Sequence, residues 1–116
     1  MERLKEPEQI DGLLEESLAI LFKHSTRCNI SETAYHEVSS FEASNPRVPI
    51  YLIDVVEDRT AAQYVAEQVS VPHQSPQVIL LQKGRVVWHA SHFDLAGDAL
   101  QEQVETCLSL LPVRHQ

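Results

Sequence analysis

Cysteine is scarce in this chain: two in 116 residues, Cys28 and Cys107, 79 positions apart. That excludes a small scaffold built on several disulfides, and reduced thiols are expected. Positive charge is also short, with nine Lys and Arg against seventeen Asp and Glu and a net charge of −8. Phosphate contacts dominate nucleic-acid affinity, so DNA or RNA is not the expected main partner. No apolar run approaches the roughly 20 residues that span a bilayer. The first residues, Met1-Glu2-Arg3-Leu4-Lys5-Glu6-Pro7, carry charges where a secretory signal needs an apolar stretch. A cytoplasmic protein with no membrane partner is the expectation. Internal repeats, low-complexity tracts and linkers are absent too, which points to one domain over residues 1–116.

The remaining composition is that of a globular protein, 43% hydrophobic and 22% charged. Residues 8–17 place Ile10, Leu13 and Leu14 at helical spacing. Leu18-Ala19-Ile20-Leu21-Phe22 is a continuous apolar run, the pattern of a strand buried on both faces. From Cys28 onward, Ile30, Ala34, Val38 and Phe41 mark one face of a helix ending near Ser39-Ser40. Ile50-Tyr51-Leu52-Ile53-Asp54 reads as a second strand. Asp58 is placed to cap a helix whose apolar face is Ala62, Val65, Ala66 and Val69. Two prolines in Val71-Pro72-His73-Gln74-Ser75-Pro76 exclude a helix there. Val78–Leu81, a Lys83-Gly84 turn and Arg85–His89 predict a β-hairpin. A last helix from about Gly97 to Leu111 presents Leu100, Val104, Cys107, Leu108 and Leu111, and Pro112 ends it. The first two strands are joined through a helix and should run parallel. The expected fold is therefore α/β: a four-stranded mixed sheet with helices on both faces, in the strand and helix order of the thioredoxin fold.

Cys28 stands between the loop Ser25-Thr26-Arg27 and a helix start. Only the thiolate is nucleophilic, and an ordinary cysteine with a pKa of about 8.5 is mostly protonated at neutral pH. Unpaired N–H groups and the positive end of a helix dipole favour the thiolate at such a position. Lys23, His24 and Arg27 add positive charge nearby in sequence. Three residues on, where a resolving cysteine would stand, the chain has Ser31. A mixed disulfide on Cys28 then needs a second molecule to clear it; Ser31 is left to hydrogen-bond the thiolate or to cap the helix. Cys107 lies well inside the apolar stripe of the last helix and reads as a small core residue. Ser75-Pro76, directly before a buried strand, is the place for a cis proline whose neighbouring backbone at Ser75 pairs with an extended thiol substrate. An ordinary trans proline starting an edge strand is the plainer alternative.

Three stretches carry a resemblance: Phe22-Lys23-His24-Ser25-Thr26-Arg27-Cys28-Asn29-Ile30-Ser31, His73-Gln74-Ser75-Pro76-Gln77 and Val87-Trp88-His89-Ala90-Ser91-His92. Together, in order and spacing, they resemble the monothiol bacilliredoxins, thioredoxin-fold proteins of bacteria that use bacillithiol. The resemblance implies a protein that removes bacillithiol from protein mixed disulfides. Cys28 is then the catalytic nucleophile, with Thr26, Arg27, Asn29, Ser31 and His24 around it and Ser75 and Pro76 binding substrate. No tightly bound cofactor is implied; the small thiol is a co-substrate, and the partners are S-thiolated proteins. The family usually has proline directly after the cysteine. Asn29 departs from it, and its extra N–H should alter the acidity of the thiol.

His73, His89 and His92 are candidate zinc ligands beside Cys28, but the sequence holds no second close pair of ligands and no metal is expected. Trp88, His89 and His92 are placed at the rim, or as packing beneath it. Two other readings stand beside the oxidoreductase. One is a non-catalytic thioredoxin-like module that binds a partner or senses redox state. The other is an iron–sulfur carrier like the monothiol glutaredoxins, which Asn29 and Ile30 disfavour because that family has glycine and phenylalanine there.

Overall fold

Strand β2 (Ala19–His24) lies at the middle of the sheet in the computed structural model, which describes residues 1–25, 29–91 and 97–110; of these, the side chains of 29–31, 97, 109 and 110 are outside the description. The strands run in the order β1 (Glu2–Arg3), β3 (Ile50–Asp54), β2, β4 (Gln77–Gln82) and β5 (Arg85–Ser91). β2 pairs parallel with β3, and antiparallel with β4, which continues into the antiparallel hairpin with β5. The helices are α1 (Pro7–Leu13), α2 (Asn29–Ser44), α3 (Arg59–Val69) and α4 (Gly97–Leu110).

The apolar run in β2 has no polar alternation because both faces of the sheet are covered. Ile20 and Phe22 pack with Val78 and Leu80 against Ala34, Val38 and Phe41 of α2 and Leu100, Val104 and Cys107 of α4. Ala19 and Leu21 point the other way, with Ile53, Ile79 and Leu81, onto Ile10 and Leu13 of α1 and Ala61, Ala62 and Val65 of α3. Each fully buried Leu, Ile or Phe contributes roughly 1.5–3 kcal/mol, so the two layers are where the stability resides. No helix among the described residues is long and apolar enough to cross a membrane.

The sheet has five strands rather than four. Glu2 and Arg3 pair parallel with Tyr51 and Leu52, and the Leu4 N–H donates to the Leu52 carbonyl at 2.8 Å. A two-residue charged strand joined through its backbone leaves no hydrophobic alternation to read. Helix α1 is shorter than residues 8–17. Pro7 starts it, and the Gln9 side chain accepts from the Lys5 and Glu6 N–H groups at 2.8 and 3.0 Å. It stops at Leu13 because Glu16 is held elsewhere: its carbonyl accepts the Lys83 N–H at 3.0 Å, and its carboxylate accepts the Tyr51 hydroxyl. Helix α2 runs one turn past Ser39-Ser40, to Ser44. Asn45 then donates to the Phe41 carbonyl (2.9 Å) and to Gln101 of α4 (2.7 Å), tying that end down.

Asp58 precedes α3 as expected but does not cap it; its carboxylate accepts the Arg3 guanidinium at 2.9 Å. Ala61, not Ala66 or Val69, is fully buried on that helix. Leu108, expected on the apolar face of α4, is half exposed at 49%. Leu111 lies outside the described residues.

Candidate functional site

The C-terminal ends of β2 and β3 and the start of β4 meet at one end of the sheet. Lys23 is level with Ile53 on one side and Gln77 on the other, and His24 is level with Asp54. The chain leaves β2 at this end and enters α2 at Asn29, the residue after Cys28 in sequence. Thr26, Arg27, Cys28 and His92 lie outside the described residues, as do the side chains of Asn29 and Ser31.

Successive strand residues face opposite sides, so Lys23 and His24 part company. His24 turns to the α2 side, half-buried, its ring 5.4 Å from Phe22 and 5.2 Å from Tyr35. Its carbonyl accepts the Val55 N–H at 2.9 Å. Lys23 turns to the α3 side with Ala19 and Leu21 and is fully buried. Burial lowers its ammonium pKa to about 8, because charge is costly away from water. Its Nζ has no hydrogen-bond partner among the described residues.

Gln77, the first residue of β4, faces Lys23 across the β2–β4 pair and is also buried. Its amide donates to the Pro72 carbonyl at 3.2 Å, which anchors the loop before β4, while its Oε1 has no partner among the described residues. The Ser75–Pro76 peptide bond is cis. Pro76 is buried, and Ser75 is half-buried with a buried Oγ that has no partner among the described residues. β4 is an interior strand, so the edge-strand alternative for Pro76 does not apply. On the β3 side, Asp54 is buried and its carboxylate accepts the N–H groups of Val56 and Glu57 at 2.9 and 3.1 Å, closing the turn into α3.

His73, on the loop, borders a cleft of about 300 Å³ with Val55, Arg59, Ala62 and Gln63. Its pKa is lowered, first by loss of solvent and then by the positive charges of Lys23 and Arg59. Trp88 is level with Leu80 and packs, half-buried, on the α2–α4 layer. His89 is level with Ile79 and exposed on the other face, so the pair is split by the sheet. Cys107 is buried in the α4 layer, and burial pushes its thiol pKa up.

The sequence offered Lys23 only as a charge near Cys28, and it passed over Gln77 as a site residue. The available signal was a lysine ending a run of buried residues, with a glutamine opening the next buried run.

Solved structures share this architecture. A provisionally assigned oxidoreductase with a thioredoxin fold superposes with a TM-score of 0.83 at 27% identity, covering 89% of this chain and 92% of its own. Thioredoxin from Trypanosoma brucei brucei gives 0.76 at 15% identity, over 92% and 89%. Fasciola hepatica thioredoxin gives 0.72 at 18%, over 91% and 98%. The fold is that of thioredoxin, and a family profile described as monothiol bacilliredoxin BrxC matches residues 2–100. Thiol oxidoreductase-like chemistry is the common ground of that profile and the fold. With the profile running from β1 into α4 and taking in Cys28 and the Ser75–Pro76 bend, the chain belongs to the monothiol bacilliredoxin family.

Proposed function

We propose that this protein is a monothiol thiol–disulfide oxidoreductase that removes bacillithiol, or a similar small thiol, from protein mixed disulfides through Cys28. The observation that carries the reading is the family match over residues 2–100, with Cys28 preceding α2 and Ser31 in place of a second cysteine. The Cys28 thiolate attacks the small-thiol sulfur of the mixed disulfide. The old S–S bond breaks, the substrate leaves as a thiolate and takes a proton from solvent, and Cys28 now carries the small thiol. A second small-thiol thiolate attacks that adduct, releases a small-molecule disulfide and restores Cys28. In the first step the substrate sulfur is reduced as Cys28 is oxidised; in the second the incoming small thiol is oxidised as Cys28 is reduced, so that incoming thiol is the net reductant.

Position at the head of α2 favours the thiolate form. The cis bend at Ser75–Pro76 presents backbone to an extended substrate. Mass spectrometry tests the reading. Protein incubated with a small-molecule disulfide should gain one adduct on Cys28, lose it on addition of free thiol, and gain none in Cys28→Ser. A Cys28 thiol with a pKa near 8.5 and slow exchange would instead favour a non-catalytic binding module.

A further inference from the structure

We propose that Gln77 is a positioning residue for exchange: its buried amide holds the loop before β4 so that Ser75 meets the peptide half of a mixed disulfide. The proposal rests on the thiol-exchange reading for its substrate, and on the fold for the tether. The loop, residues 72–76, joins the buried Val71 to the start of β4 and has no regular secondary structure. Pro72, His73 and Gln74 are exposed, so packing does little to fix the path to Ser75. A side chain supplies the tether. The Gln77 Nε2 donates to the Pro72 carbonyl at 3.2 Å, joining the two ends of the loop.

Gln77 is 1% exposed, and the residues that follow it on the same face, Ile79 and Leu81, are apolar members of the α1–α3 layer. An amide is costly to bury, and an apolar side chain of that size would fill the space without the cost. What the amide adds is the bond to Pro72. The structure also sets which way that amide faces. A carbonyl only accepts, so the Pro72 bond takes the N–H end and leaves Oε1 buried without a partner among the described residues. Lys23 is level with Gln77 across the β2–β4 pair, on the same face, and its buried Nζ only donates. Turning the amide over would lose the Pro72 bond and set N–H groups on the side of a donor-only lysine, so one orientation is favoured. Ser75 lies inside the span that this bond closes. A substrate that pairs with extended backbone gains most when that backbone is already in place, because ordering a loop on binding costs affinity.

The test is steady-state kinetics of the full chain on a cysteine peptide in mixed disulfide with bacillithiol, with Gln77→Met and Gln77→Glu beside the parent. Both variants keep the side chain's size and lose the donor to Pro72. Glutamate also sets a carboxylate opposite Lys23, which guards against the case in which the methionine variant fails to fold. Each should raise KM for the peptide about tenfold, the worth of one hydrogen bond, with kcat within about twofold, the signature of lost uniform binding. Adduct formation on Cys28 with bacillithiol disulfide, which offers no extended peptide, should stay within the same range as kcat. Backbone amide NMR signals of His73, Gln74 and Ser75 should shift in both variants. A merely structural loss would instead lower kcat and the adduct rate together. That result, or an unchanged KM in both variants, would overturn the positioning role and leave the proposed activity. Unshifted loop signals would overturn the tether. A parent that exchanges with neither probe overturns the proposed activity and the positioning role together, and shifted loop signals then leave only the tether.

Discussion

Lys23 and Gln77 face each other across the β2–β4 pair, both fully buried on the α3 side of the sheet, and each keeps one polar atom without a partner among the described residues. Two unsatisfied polar atoms at adjacent buried positions are a stability cost, typically 1–3 kcal/mol for each group. They stand at the sheet end where β2 ends, beside the Ser75–Pro76 bend that opens β4.

The pH dependence of stability should reveal Lys23. Its folded pKa of about 8 lies below the ordinary 10.5, so between those values the unfolded chain binds more protons. Stability therefore rises as pH goes from 8 to 10.5, by up to about 3 kcal/mol from this group. Lys23→Met should be more stable than the parent at pH 7, with the gap closing towards pH 10.5. Urea unfolding of the pair across that range checks this; a gap independent of pH would refute it.

The same substitution should move His73. Removing the Lys23 charge takes away one of the causes that lower the His73 pKa. An imidazole titration by NMR should show the His73 pKa higher in Lys23→Met than in the parent.

Cys107 should behave as a core residue. It is 6% exposed, and burial raises its thiol pKa. Under native conditions iodoacetamide should modify Cys28 far faster, and Cys107 should react only after denaturation. Cys107→Ala should leave the exchange rate unchanged and cost about 1 kcal/mol of stability.

Gly84 should not tolerate a side chain. Its φ is +78°, and a Cβ there would lie 2.8 Å from the Leu14 carbonyl oxygen, which is backbone and cannot yield cheaply. Gly84→Ala should cost about 1–3 kcal/mol, combining strain and a steric clash. Chemical denaturation measures it directly.

Tyr51 ties β3 to the segment after α1 through Glu16. Burial and the Glu16 carboxylate raise its pKa to about 12. Because the folded value exceeds the unfolded one near 10, this contribution is whole below pH 10 and is lost as pH rises to 12. Tyr51→Phe should cost about 1 kcal/mol at pH 7, and an ultraviolet titration should lose its latest-ionising tyrosine.

By itself the sequence determined the layering and pointed to a thiol. The unbroken apolar run before Lys23 required a strand covered on both faces, the Lys83-Gly84 pair required a tight turn, and Cys28 with Ser31 defined a lone thiol before a helix. These are local patterns, and local sterics and solvation decide them. Tertiary structure alone decided the rest. Backbone pairing recruited Glu2 and Arg3 as a fifth strand, and the Tyr51–Glu16 contact ended α1 early. Arg3 drew Asp58 away from its cap. Strand alternation sent His24 to α2 and Lys23 to α3, and the β2–β4 register then put Lys23 opposite Gln77. Those placements depend on contacts between residues tens of positions apart, where no periodicity in the chain carries the information.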